Sequence, residues 1–116
     1  MFFRSEVRQI LAFGEAVDMR RSFDGLVAVV ESALEEDPLA GTVYVFFNRR
    51  GTILKSVYWD RTGYCLWCKR LERGRFRLPG HDDDAAGLEI ESSELTLLLE
   101  GIELAGARRH KRYRRE

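Results

Sequence analysis

The stretch from Thr42 to Arg70 leaves this chain little choice of architecture. Thr42 to Phe47 reads TVYVFF, β-branched or aromatic at every position, which predicts a strand covered on both faces and central in its sheet. Asn48, Arg49, Arg50 and Gly51 follow, with Asn and Gly where a positive φ is cheap, so the chain turns back as a strand over Thr52 to Trp59. On that strand Ile53, Lys55, Val57 and Trp59 share one face, and Leu54, Ser56 and Tyr58 the other. A second turn, Asp60 to Gly63, leads to a third strand from Tyr64 to Arg70. The result is an antiparallel meander.

The flanking segments read as its cover. Gln9 to Phe13, QILAF, is a short apolar strand ended by Gly14. Asp18 to Arg21 forms a turn, and Ser22 caps a helix running to about Glu36, with Asp24 near its positive end. Phe23, Leu26, Val27, Val30, Ala33 and Leu34 then form the stripe that packs on the sheet. Leu71 to Gly74 suggests a helical turn, and Phe76 to Leu78 a short strand stopped by Pro79. Residues 81–87 read as an acidic loop and Leu88 to Ile90 as an edge strand. Ser92 or Ser93 caps a last helix with Leu95, Leu98, Leu99 and Ile102 on one side. The expected fold class is α+β: one domain over residues 1–104, an antiparallel β-meander sheet with two helices packed on it. Residues 105–116 form a basic tail, expected to be disordered.

A chain of 116 residues, 45% of them hydrophobic, suffices for one such domain without metals or disulfides. No apolar run approaches the ~20 residues of a membrane span, and Glu6 and Arg8 interrupt the segment where a signal peptide stays apolar. The only cysteines, Cys65 and Cys68, do not make a disulfide framework. A cytoplasmic location is expected.

Equal numbers of cations and anions, 19 each, hide a segregation along the chain. Residues 49–77 carry nine basic and two acidic side chains, whereas residues 78–107 carry eight acidic and no basic ones. Arg dominates the cations, and its guanidinium suits both bidentate phosphate contact and stacking on flat rings. Charge alone leaves two readings of the 49–77 block: a phosphate-binding face, or one that pairs with the acidic blocks. Arg49, Arg50, Lys69, Arg70, Arg73, Arg75 and Arg77 are the candidate contacts for nucleic acid or a partner. Arg61 and the rings of Tyr58, Trp59, Tyr64 and Trp67 accompany them, as stacking surfaces or as core.

Other chemistry fares worse. Cys65 and Cys68 with His81 imitate three zinc ligands, but residues 85–87 are Ala, Ala and Gly, so the fourth is missing. Three residues apart on a strand, the two thiols also face opposite ways. His81 to Asp84 could hold Mg²⁺ for a nuclease, but adjacent acids flanked by Gly suit a solvated turn. No nucleophile elbow, phosphate loop or triad is present. We expect no enzyme, no metal and no cofactor.

Four segments carry a resemblance: DMRRSFDGL from Asp18, VYVFFNRRG from Val43, KSVYWDRTGYCLWCKRLERGRF from Lys55 and LLLEGIE from Leu97. Together they resemble the small accessory protein, called TnpB or Orf2, of bacterial insertion sequences of the insertion-sequence 66 family. It is distinct from the RNA-guided nuclease that shares the name. Leu78 and Cys68 depart from the pattern, which has Trp and often an aromatic there. The resemblance implies a non-catalytic protein encoded beside a separate transposase and needed for efficient transposition. Its expected partners are transposon DNA, bound through the Arg-rich surface, or alternatively the transposase, docked without DNA contact.

Overall fold

In the computed structural model the described residues are 7–77 and 87–100. Strands β1 (Gln9–Phe13), β2 (Thr42–Phe47), β3 (Ile53–Asp60), β4 (Gly63–Arg70) and β5 (Gly87–Ile90) form one sheet in the order β4, β3, β2, β1, β5. Helix α1 (Phe23–Ser32) joins β1 to β2, and α2 (Ser92–Leu99) follows β5. The expected meander is present, with Tyr44 opposite Val57 and Val57 opposite Leu66. β2 is the central strand.

The sheet is mixed, because β1 pairs parallel to β2. The reason is the connection: a strand that leaves through a helix on one face returns in the same direction as it left. β5 then pairs antiparallel to β1 and closes that side, as the expected edge strand.

Alternation divides the core in two. Ile10, Ala12, Val43, Val45 and Leu54 point to the face covered by Leu95 and Leu98 of α2. Phe13, Tyr44, Phe46 and Val57 point to the other, covered by Leu26 and Val30 of α1. One helix per face explains why β2 is apolar throughout.

Both helices differ at their ends from expectation. α1 stops at Ser32, and the chain reverses through Glu35 at φ 54. There the Glu36 N–H donates to the Val30 carbonyl (3.1 Å) and the Leu34 N–H to that of Val29 (3.2 Å), a left-handed closure normally built on Gly. The stripe is rotated as well: Val29 and Leu34 pack with Leu26 and Val30, while Phe23 remains 43% exposed and Ala33 is exposed. Ser22 occupies the N-cap without a side-chain hydrogen bond. In α2 the N-cap is Glu91 rather than a serine, and its N–H donates to Glu94 Oε1 (2.9 Å). Residues 72–74 form bends rather than a helical turn, and Phe76 lies outside any strand. The expected acidic loop up to residue 86, Leu78, Ile102 and the basic tail lie outside the described residues.

Candidate functional site

Because β1 and β2 run together and β3 reverses, the C-terminal ends of β1, β2 and β4 meet at one end of the sheet. Three irregular segments cover that end. The first is the β2 to β3 link. Asn48 Oδ1 accepts the N–H groups of Thr52 (2.8 Å) and Ile53 (3.0 Å), and its Nδ2 donates to Thr52 Oγ1 (3.1 Å). Gly51 takes φ 72, with its N–H on the Asn48 carbonyl (3.0 Å). The tip so fixed presents Arg49 and Arg50 to solvent.

The second segment follows β4 and is sewn to the first. The Leu71 N–H donates to the Thr52 carbonyl (2.8 Å) and the Phe76 N–H to that of Gly51 (2.7 Å), while the Phe76 ring is buried. A β-carbon added at Gly51 would stand 3.2 Å from the Phe76 oxygen and 3.7 Å from the Arg75 β-carbon. Glycine is therefore what lets the Arg73 to Arg77 run come back against the Arg49 and Arg50 tip.

The third is the entry to α1. The Val17 N–H donates to the Phe47 carbonyl (2.8 Å), and the Lys55 ammonium reaches off the sheet to the carbonyls of Met19 (2.8 Å) and Arg21 (2.7 Å). Asp18 accepts the Arg20 backbone N–H (2.9 Å) and its guanidinium (2.6 Å to Nη2). Those hydrogen bonds to Arg20 hold the Asp18 carboxyl well below the usual range, at about 2. Asp18 thus shapes a turn, as the sequence suggests.

Two open clefts lie among these segments. One, of about 440 Å³, separates Ala16 to Met19 from Asn48 to Arg50. The other, of about 240 Å³, is walled by Phe13, Phe47 and Phe76 with Glu15 and Arg49 at its mouth.

The predicted contacts sort unevenly over this geometry. Arg49, Arg50, Arg73 and Arg75 are exposed at the basic end, with no side-chain hydrogen bond or ion pair among the described residues. Arg70 is exposed but paired with Glu72 (3.2 Å), and Arg77 is exposed with a partner of its own. Lys69 faces the other way: its ammonium lies 2.5 Å from the Leu99 carbonyl, at the end of α2, where a cation offsets the helix dipole. Arg61 sits in the β3 to β4 turn, at the far end of the sheet.

The named aromatic rings do not join the four arginines. Trp59 meets Tyr64 edge to face (5.0 Å) beside the β3 to β4 turn, and Trp67 packs on the α2-side core. The rings beside the arginines are Phe13, Phe47 and Phe76. Their signal in the sequence is positional, since Phe13 and Phe47 each end a strand just before Gly14 or Asn48. Cys65 stands opposite Tyr58 and Cys68 opposite Lys55, so the thiols point to different faces, as strand alternation predicts. Among the described residues no helix is long and apolar enough to cross a membrane.

A family profile described as "IS66 Orf2 like protein" matches residues 8–109 of the chain. Two relatives come from Sinorhizobium fredii and are both described as uncharacterized. The protein y4jC is 39% identical over 101 residues, which is 87% of this chain and 85% of the relative. The protein y4hO is 40% identical over 97 residues, 84% of this chain and 82% of the relative. No solved structure matches the chain.

Proposed function

The chain belongs to the IS66 Orf2-like protein family, which implies an accessory role in insertion-sequence transposition, and from that premise we propose that it binds DNA through the arginines at the end of its sheet. One observation carries the reading. Arg49, Arg50, Arg73 and Arg75, exposed and without partners among the described residues, come from two segments that the Phe76 to Gly51 hydrogen bond ties together. Local ion pairing within the 49–77 block accounts for Arg70, through Glu72. It leaves these four unexplained.

Guanidinium groups on a rigid backbone fit phosphates two-pronged, and each phosphate neutralised releases condensed counterions. Four contacts give log K against log salt a slope of roughly −3.6. Replacing Arg49 and Arg50 with Gln flattens it by roughly 1.8, while Lys69→Gln leaves it unchanged. Duplex DNA that fails to bind at low salt, or binds regardless of salt, overturns the reading.

A second reading, docking on the transposase without DNA contact, draws on another feature. β4 is eight residues long and lies at the edge of the sheet, so among the described residues its outer backbone groups are open to a strand from a partner. Co-purification with the transposase that survives nuclease treatment supports that reading.

A further inference from the structure

We propose that the groove across the basic end of the sheet receives an unpaired nucleotide of DNA, and that the protein therefore prefers single strands or opened ends to duplex. This deepens the DNA-binding reading and rests on it. The two clefts share Ala16, Asn48 and Arg49, so they form one path from Met19, on the α1 side, to Phe76, on the α2 side. The halves differ in chemistry.

The smaller half is walled by phenylalanine. Phe47 and Phe76 are held with ring centroids 6.0 Å apart and planes tilted by 50°, and Phe47 is only half-buried. Phe47, the one ring of the three that is not buried, offers a base an apolar surface without reading its sequence. Glu15 lines this half beside Arg49 and offsets its charge, so the half is less cationic than the other and suits a base better than a phosphate. The larger half carries Arg49 and Arg50 on one wall. Opposite them, the Asp18 carboxylate is already occupied by Arg20. The sugar-phosphate chain belongs there, with Arg49 at the junction able to touch both phosphate and ring. The larger half alone falls within the ~300–1,000 Å³ of small-molecule sites.

A duplex keeps its bases stacked inside and offers this surface only phosphates, so it gains the arginine contacts without the groove. The test is a fluorescence-anisotropy titration of the full chain with an oligothymidylate and with a duplex of equal phosphate count, at one salt concentration. One base seated on the aromatic wall makes the single strand bind about tenfold more tightly. Ala16→Leu fills the mouth common to both halves from an exposed position and alters no charge. It should abolish the preference while leaving duplex affinity and salt slope unchanged. Phe47→Leu, checked for folding by its urea midpoint, should reduce the preference too.

Equal, salt-dependent affinity for both ligands overturns the groove and leaves DNA binding standing. Absence of salt-dependent binding to either overturns DNA binding itself. A preference that persists in both variants places its origin elsewhere and sinks the proposal. A matched oligoribonucleotide bound more tightly than the DNA overturns the assignment to DNA.

Discussion

Replacing Gly51 with Ala probes the joint on which the basic end depends, and its cost follows from two separate features. The first is conformational: at φ 72 a residue with a β-carbon loses about 1 kcal/mol relative to Gly. The second is contact. The new β-carbon stands 3.2 Å from the Phe76 carbonyl oxygen, which belongs to the main chain and yields only if the segment moves. That movement stretches the 2.7 Å bond from the Phe76 N–H to the Gly51 carbonyl, worth about 1 kcal/mol net. The sum is about 2 kcal/mol, or about 1 M in urea midpoint for a slope near 2 kcal/mol per M. Gly74 supplies the control, since it shares the backbone conformation, φ 75, but a β-carbon there meets nothing within 4 Å. Gly74→Ala should cost only about 1 kcal/mol. Asn, which tolerates the left-handed region, should restore nearly all of the loss at position 74 and only the conformational part at 51. Equal midpoints for the two Ala variants, or a neutral Gly51→Asn, would refute the close-approach argument.

The left-handed Glu35 predicts the opposite sign: Glu35→Gly should raise stability by about 1 kcal/mol, read as a higher urea midpoint, and a lower one contradicts the assigned closure of α1. Lys55→Met removes charged hydrogen bonds to the carbonyls of Met19 and Arg21; a loss of about 2 kcal/mol should come with faster hydrogen exchange at the Arg21 amide, and unchanged exchange there counts against the role. Asp18 is held at about 2 in the folded chain against an ordinary 3.8, so its contribution is present above about pH 4 and is lost as pH falls toward 2. An NMR titration should place the carboxyl midpoint near 2, and the stability gap between the protein and Asp18→Asn should close over that same interval.

The meander was legible because strands of alternating or doubly apolar pattern, broken at Asn48 to Gly51 and Asp60 to Gly63, admit one pairing. The parallel pairing of β1 has a fainter signal: QILAF is apolar on both faces and is separated from β2 by a helix, the order of a crossover. The end of α1 was illegible for a different reason. Glu35 is not a residue that advertises a positive φ, so the reversal there comes from tertiary packing rather than local preference. Charge counting puts the 49–77 cations in one block but does not tell which of them point outward. Lys69 shares strand parity with Trp67, and that parity was the available hint that it belongs to the α2 side. The clefts needed the fold, since Ala16, Phe47 and Phe76 approach one another only once the backbone bonds at Val17 and Phe76 form.

Lys55 and Lys69 are the only lysines among the described residues, and both commit their ammonium groups to main-chain carbonyls. Among the described residues the outward charge of the basic end is therefore all guanidinium. Among the described residues, amine-directed reagents and enzymatic acetylation find no other target there; at these two positions they act as probes of whether the helices stay clasped to the sheet. Dicarbonyl reagents selective for arginine address the surface itself, so the two chemistries separate folding from contact in a single labelling experiment.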